Sequence, residues 1–270
     1  MRILIYRIAL VVTFFVFFFF SLVSVGQTNC EEGNGLVDFS APQTIAVPEI
    51  LHKLGAAETD TRNARVRYTY LQDARVETLI GNNPDGEFHE VTTVSFDARG
   101  KRLENVTYAE QSTLRRAQLT QQDMDDIRIF MPFMLPAEDM PLYNLIYAGQ
   151  QRVDDLDTYV FHVEPKKEEK DRRYFQGRIW VDNQDFQIVK VCGKSVPETV
   201  QVKKHQGQDL RPTFVTYRQQ VDGRYWFPAY TRSDDTLHFR NGSIHLREVI
   251  KYSNYKRVGG VAAAGEALKP

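Results

Sequence analysis

The residue types that could carry catalysis are scattered along this chain, and their spacing favours no active site. No Gly-x-Ser-x-Gly nucleophile turn occurs in the sequence. Gly193-Lys194-Ser195 ends like a phosphate-binding loop, but that loop needs a glycine at position 188, where the sequence has Ile188. The sequence therefore predicts a protein that is not an enzyme and that uses no cofactor.

Two histidines near the C-terminus, His238 and His245, are spaced to face each other across a predicted hairpin. Imidazole nitrogens bind Zn²⁺, but a zinc site needs further ligands, and none stands beside this pair. The neighbouring Arg240, Arg247 and Lys251 indicate a cationic, solvent-facing surface instead. We therefore predict no metal site.

The first 26 residues are typical of a secretory signal. Arg2 and Arg7 flank the start of an apolar run over residues 8–20, and a small-residue stretch ends at Gly26. The alternative is an uncleaved anchor, because the apolar run and its continuation approach the length that spans a membrane. In either case the body of the protein is predicted to be exported, with the periplasm as its location.

The chain has two cysteines, Cys30 and Cys192. A disulfide between them is one alternative, because disulfides persist in exported proteins. The other alternative is a buried free thiol, which the apolar pattern around Cys192 favours.

One stretch is unusually rich in methionine and phenylalanine, and we call residues 124–135 the Met/Phe segment. Thr120 predicts a helix N-cap with Asp123 three residues later, and Pro132 and Pro136 are expected to end or kink the helix. Methionine is flexible and common where a surface accommodates varied apolar partners. Any helix that covers a sheet is also apolar, so the segment is either a lid over a ligand or ordinary core.

The elements that must position this segment are mostly strands. Residues 174–194 predict a hairpin whose tip is Asn183-Gln184. One face of this hairpin is predicted to carry Phe175, Ile179, Val181, Phe186, Ile188 and Cys192. Further turns are predicted at Asn82–Gly86, Asp97–Gly100, Asp222-Gly223 and Asn241-Gly242, and a short helix from Pro48 to about Thr61.

These patterns predict an α+β fold that is mostly antiparallel β, namely an incomplete, open β barrel of about nine to eleven strands with a helical lid. The predicted organisation is a signal peptide or uncleaved anchor (residues 1–26), a loose polar leader (27–46), the open-barrel domain (47–257) and a disordered tail (258–270).

The order of these features resembles the LolA-like superfamily of periplasmic lipoprotein carriers, the outer-membrane lipoprotein-sorting proteins. The resemblance covers roughly residues 47–257 and rests on the signal segment, the short helix before the Arg65–Leu71 strand, the mid-chain helix, the Gly177–Asp182 strand with its Phe186–Val191 partner, and the closing strand ending in Tyr252–Tyr255. It implies an open β barrel with a helical lid, a hydrophobic cavity for lipid or lipoprotein acyl chains, and no catalysis.

We therefore expect an exported protein that binds lipid or lipoprotein acyl chains between a curved sheet and the Met/Phe segment, for transport or sensing in the cell envelope. The predicted ligand-binding residues are Met124, Ile127, Phe130, Met131, Phe133, Met134, Leu135, Phe175, Ile179, Val181 and Ile188. The alternative is a periplasmic protein–protein interaction module on the same fold, with an envelope protein as partner and no lipid.

The net charge of the chain limits the kinds of partner that it is expected to bind. A formal charge of −1 argues against a nucleic-acid binder, which would show a strongly basic surface. We expect a monomer whose membrane contact is transient or is made through an uncleaved N-terminal anchor.

Overall fold

One antiparallel sheet dominates the structure, a computed structural model that describes residues 27–169, 172–198 and 210–258. The strands are β1 (Asn34–Asp38), β2 (Tyr68–Ile80), β3 (Asn83–Phe96), β4 (Arg102–Ala109), β5 (Tyr143–Val153), β6 (Leu156–Pro165), β7 (Tyr174–Asp182), β8 (Ile188–Val196), β9 (Phe214–Val221), β10 (Tyr225–Phe239) and β11 (Gly242–Arg257). Their order across the sheet is β1-β5-β6-β7-β8-β9-β10-β11-β2-β3-β4, so the sheet is not closed and β1 and β4 are its edges. The predicted fold class is confirmed.

The described helices are few and short, apart from the first. They are α1 (Val47–Arg65), α2 (Gln121–Asp125), a π-helical turn (Asp126–Phe130) that continues α2, and a 3-10 turn (Met140–Leu142). Pro48 lies in the first turn of α1, as predicted, although the helix continues past Thr61 to Arg65. Among these helices, none has the length and apolarity needed to cross a membrane.

The predicted helix start at Thr120 is confirmed by its cap. The Thr120 hydroxyl accepts a hydrogen bond from the N–H of Asp123, and the Asp123 carboxylate accepts one from the N–H of Thr120. The helical run stops before Pro132, because proline has no N–H to donate to the preceding turn.

One face of the sheet, called here the covered face, carries the main hydrophobic core. Alternate residues of each strand point to the same side of a sheet, and on this side they are apolar. The helix α1 and the Met/Phe segment pack against this apolar surface. The core includes Ile50, Leu54, Tyr70, Val76, Val94, Ile127, Met131, Leu135, Phe161, Phe175, Ile179, Val191, Phe214 and Ile250. It therefore extends from β2 to β11 as one continuous unit.

The central hairpin, β7 with β8, has the predicted strands but a different register. Phe175 faces Ser195, and Ile179 faces Val191. The predicted tip at Asn183-Gln184 would place Cys192 opposite Phe175, three residues away from the observed partner. An odd shift exchanges the two faces of a strand. Cys192 consequently lies on the outer face of the sheet, and the prediction that it shares a face with Phe175 is wrong.

The register shift has its origin in the loop between the two strands. The Asp182 carboxylate accepts hydrogen bonds from the N–H groups of Gln184 and Asp185, both at 3.0 Å. Phe186 adopts a left-handed backbone with φ of 58°. The loop is therefore wider than a two-residue turn. Val181 faces Ile188, whereas a two-residue turn at Asn183-Gln184 would place Phe186 opposite it.

A disulfide on the outer face joins Cys30 to Cys192, with Cα atoms 5.5 Å apart. The prediction of a buried free thiol is therefore wrong. The sequence pattern was misleading because Cys192 is indeed buried, but in a second apolar cluster on the outer face with Trp180 and Val215.

The ammonium group of Lys190 also binds the N-terminal segment to the outer face. It donates hydrogen bonds to the carbonyl oxygens of Cys30 (3.1 Å) and Glu32 (3.0 Å) and to the side-chain oxygen of Asn34 (2.7 Å). The strand β1 then pairs with β5. The expectation of a loose leader over residues 27–46 is therefore wrong for the part that includes β1.

The two C-terminal hairpins differ in how closely they follow the sequence pattern. Val221 faces Tyr225 across the predicted Asp222-Gly223 turn, where both residues have positive φ, 52° and 64°. In the last hairpin Phe239 faces Gly242, so the turn consists of Arg240 and Asn241 and not of the predicted Asn241-Gly242.

The shifted turn separates the two histidines. His238 faces Ser243 and His245 faces Thr236, so the predicted pairing of the histidines is wrong. Within the described residues no cluster of His, Cys, Asp or Glu could hold a metal ion. The predicted signal segment or anchor (residues 1–26) and the tail beyond residue 258 lie outside the described residues.

Candidate functional site

A groove of about 710 Å³ opens beside the Met/Phe segment. It lies between the C-terminal end of α1, the β3–β4 turn, residues 129–136 and the approach to β7. Its lining residues are Arg62, Asn63, Arg65, Val66, Phe96, Ala98, Arg99, Gly100, Ile129, Phe130, Pro132, Phe133, Met134, Pro136, Asp139, Leu142, Tyr143, Arg172 and Arg173. The volume lies within the range of small-molecule sites.

The apolar wall of the groove comes from the π-helical turn and the residues after it. Ile127 and Met131 point into the core, while Ile129 and Phe130 line the groove. Phe133 connects the two environments: it lines the groove, and its ring stacks on Phe175 with centroids 4.4 Å apart. The groove wall is therefore supported directly by the sheet.

The remaining wall is strongly cationic. Among the described residues that line the groove, five are arginines and one is an aspartate. They come from α1 (Arg62, Arg65), from the β3–β4 turn (Arg99) and from the residues before β7 (Arg172, Arg173). The groove thus combines an apolar surface with positive charge.

A buried ion pair fastens the Met/Phe segment to the sheet. Arg218 of β9 donates to both carboxylate oxygens of Glu58 of α1, at 2.8 and 3.2 Å, and both side chains have 0% exposure. Arg218 also donates to the carbonyl oxygen of Phe133, and Glu58 accepts from the N–H groups of Leu135 (3.2 Å) and Ile188 (3.1 Å). The pair therefore satisfies two backbone groups of the segment and one N–H group at the start of β8.

Neither residue of this pair was among the predicted site residues, although the sequence contains a signal for both. Glu58 follows Ile50 and Leu54 at four-residue intervals, so a carboxylate stands on the apolar stripe of α1. Arg218 alternates with buried Thr216 in β9, so a guanidinium points to the covered face. Opposite charges on two apolar faces, such as those of Glu58 and Arg218, predict a buried ion pair.

A second polar cluster holds the other end of the segment. Asp126 accepts a hydrogen bond from the Ser195 hydroxyl at 2.8 Å and lies 3.3 Å from Arg211. Glu248 of β11 lines the same small cavity, and its Oε2 atom has no hydrogen-bond partner among the described residues. Burial and the nearby negative charges of Asp123 and Asp126 raise the pKa of Glu248 to about 8.

We expect this carboxyl group to make stability depend on pH. Glu248 holds its proton up to about pH 8 in the folded protein but loses it near its ordinary value of 4.5 when unfolded. The contribution of Glu248 to the free energy of unfolding is therefore complete below pH 4.5 and is lost as the pH rises to about 8. Glu248→Gln should remove this loss and exceed the parent in free energy of unfolding by a few kcal/mol at alkaline pH. Urea unfolding across the pH range tests this.

A matched control is Glu49→Gln, because the Glu49 side chain is 57% exposed. It should leave the pH dependence of the unfolding midpoint unchanged. Parallel pH profiles for the parent and Glu248→Gln would contradict the assignment. The other charged groups near Glu248 remain in all three proteins; they are Asp123, Asp126, Arg211 and Asp235.

The structure places the eleven predicted ligand-binding residues close together, in and beside the Met/Phe segment. Eight of them are buried in the packed core: Ile127, Met131, Phe133, Leu135, Phe175, Ile179, Val181 and Ile188. The other three, Met124, Phe130 and Met134, are half-buried. Phe130, Phe133 and Met134 line the groove. The predicted space between segment and sheet is thus filled by side chains, and the open groove lies to one side of it.

Solved structures that are similar to this chain include three of low identity. A LolA superfamily protein from Nitrosomonas europaea is 14% identical, with a TM-score of 0.36, over 79% of this chain and 94% of that chain. A Vibrio parahaemolyticus domain assigned as an outer membrane lipoprotein-sorting protein is 11% identical, with a TM-score of 0.42, over 80% and 93%. A DUF1329 family protein from Desulfovibrio piger is 13% identical, with a TM-score of 0.38, over 83% and 96%.

No protein-family model and no curated protein matches the chain. The superfamily that the sequence resembles is the one named for the Nitrosomonas europaea structure. All three TM-scores are below 0.5, and the open-sheet architecture of this chain rests on its own strand pairing.

Proposed function

We propose that this chain is an exported, non-catalytic protein that binds lipid or lipoprotein acyl chains, for transport or sensing in the periplasm, and that the groove beside the Met/Phe segment is its binding site. The observation that supports the proposal is the apolar wall formed by Ile129, Phe130, Phe133 and Met134 along an open space of about 710 Å³. An acyl chain gains about 0.8 kcal/mol for each buried CH₂ group.

The open side of the groove suits a protein that must release its ligand. A chain lying against one apolar wall buries part of its surface, so binding is weaker than in an enclosed cavity. Met134 adds a flexible, polarisable contact that adapts to different chains. Met124, Ile127, Met131, Leu135, Phe175, Ile179, Val181 and Ile188 support the wall, and they would face a ligand only if the segment moved away from the sheet.

Charging the apolar wall should abolish binding. Ile129 is 59% exposed and lines the groove, so Ile129→Asp places a carboxylate there with little effect on the core. We expect at least a tenfold loss of affinity for a fluorescent long-chain alkyl probe, because a desolvated carboxylate costs more than about 1.4 kcal/mol. Equilibrium fluorescence titration measures the affinity.

The matched control is Ile80→Asp. Ile80 is 64% exposed and lies at the end of β2, away from the groove lining. It should bind the probe like the parent. Equal losses in both variants, or no probe binding by the parent, would contradict the proposed site. Native mass spectrometry of the purified protein complements the titration, since a lipid carrier is expected to retain co-purified lipid.

The second candidate is a protein–protein interaction module that binds an envelope partner without lipid. The filled space under the Met/Phe segment favours it, as do the exposed apolar side chains of Leu103, Val106 and Tyr108 on the edge strand β4. An unpaired edge can accept a strand from a partner. A lipid-free species in the mass spectrum, together with no probe binding, would favour this module over the carrier.

A further inference from the structure

We propose that the occupant of the groove is a single lipid molecule with an anionic phosphate headgroup, held by Arg65 and Arg99 while its acyl chain lies on the apolar wall. The inference rests on the proposed lipid-binding function and adds the charge of the headgroup. Two observations support it. Arginine outnumbers aspartate among the described residues of the groove lining, and two of these arginines form no ion pair with a described carboxylate.

Three of the five arginines have partners in the structure. Arg62 forms an ion pair with Glu138, and Arg172 lies 4.0 Å from Asp139. Arg173 donates to the carbonyl oxygen of Pro197 at 2.7 Å. Each of these three side chains therefore already has an acceptor or a carboxylate beside it.

Arg65 and Arg99 differ from these three. Arg65 is a half-buried residue whose guanidinium donates to the sulfur of Met134 at 3.4 Å, hydrogen-bonds to the side chain of Tyr70 and lies 5.9 Å from the Tyr70 ring. These partners are neutral, so they do not balance the positive charge of the guanidinium. Arg99 is exposed at the β3–β4 turn. Among the described residues, neither side chain forms an ion pair with a carboxylate.

The location of the two guanidinium groups suits an amphiphile better than a soluble anion. Met134 contacts Arg65 and also belongs to the apolar wall, so charge and wall meet at one residue. A guanidinium presents paired N–H donors that match phosphate oxygens. A lipid phosphate at Arg65 and Arg99 would therefore place the first carbons of its chain beside the wall of residues 129–134.

The test compares two lysophospholipids with the same acyl chain below their micelle concentrations. Isothermal titration calorimetry of the full mature chain should show that lysophosphatidylglycerol binds at least tenfold more tightly than lysophosphatidylcholine, which is zwitterionic. Arg99→Ala should reduce the affinity for lysophosphatidylglycerol about fivefold and leave that for lysophosphatidylcholine unchanged. Arg99→Lys should retain most of the preference, because it keeps the charge.

Two controls accompany the titrations. Arg115→Ala removes the same charge from an exposed position outside the groove lining, and it should bind both lipids like the parent. Arg99 lies in an exposed turn, where its backbone N–H and not its side chain bonds to Asp97. The variants are therefore expected to fold, and thermal unfolding checks this.

Each other outcome has a distinct meaning. Equal binding of the two lipids, unchanged by Arg99→Ala, would overturn the headgroup inference while the proposed acyl-chain function survives. Binding of glycerol phosphate as tightly as the lysolipid would also overturn it, because the occupant would then be a soluble anion. Binding of neither lipid would overturn the proposed function itself.

Discussion

Arg218→Met is expected to lower the free energy of unfolding by about 3–5 kcal/mol, because it leaves the carboxylate of Glu58 buried without its counter-charge. The same change removes a donor from the carbonyl oxygen of Phe133. The loss should be visible as a lower urea midpoint with an unchanged slope. Since the pair also positions residues 133–135, hydrogen exchange of the Leu135 N–H should accelerate in this variant.

The double variant Glu58→Leu/Arg218→Met distinguishes the effect of the ion pair from the effect of losing two buried side chains. It should lose less than the sum of the two single variants, because no unpaired charge remains in the core. Arg224→Met is the matched control: Arg224 bonds to Asp60 of α1 at 2.9 Å, but the two side chains are 67% and 51% exposed. It should cost at most about 1 kcal/mol. Similar losses for Arg218→Met and Arg224→Met would show that the buried pair has no special role.

Reduction of the Cys30–Cys192 disulfide is expected to lower the free energy of unfolding by about 2–5 kcal/mol. The bond joins residues that are 162 positions apart in the sequence. Reduction therefore increases the conformational entropy of the unfolded chain, and this increase is larger for a longer loop. Urea unfolding with and without dithiothreitol measures the difference. The exchange rates of β1 amides should rise as well, because this edge strand lies next to the bond.

The double variant Cys30→Ser/Cys192→Ser provides the control for this experiment. Its unfolding midpoint should lie near that of the reduced parent and should not respond to dithiothreitol. Lys190 still holds the carbonyl oxygens of Cys30 and Glu32 in the variant, so the N-terminal segment is expected to stay on the outer face. Equal midpoints for oxidised and reduced parent would contradict a stabilising bond.

The fold class followed from sequence because period-two patterns are local. Phe175, Ile179 and Val181 share the covered face as predicted, since alternation within one strand does not depend on its partner. The register of β8 could not be obtained in this way. It depends on the hydrogen bonds of Asp182 within the loop, and a difference of one residue in loop length reverses a face.

The groove was beyond prediction for a different reason. Its arginines come from the end of α1, the β3–β4 turn and the residues before β7, which are distant in sequence and meet only through the order of the strands. Phe130, Phe133 and Met134 of the apolar wall were among the predicted residues because they lie in one contiguous apolar segment, whereas Ile129 was not predicted. Residues of that segment that the sequence assigned to a ligand proved to be core, since an apolar stretch has the same composition in either role.

The position of β2 in the sheet has a consequence for how the chain acquires its structure. Residues 68–80 form β2, and on the side away from β3 they pair with β11, the last strand of the described chain. The meander β2–β4 therefore joins the other strands only after residues 245–257 have been synthesised. Such non-local pairing raises contact order and slows folding. Until then one border of the meander remains unpaired, and such an unpaired strand edge is prone to aggregation during synthesis.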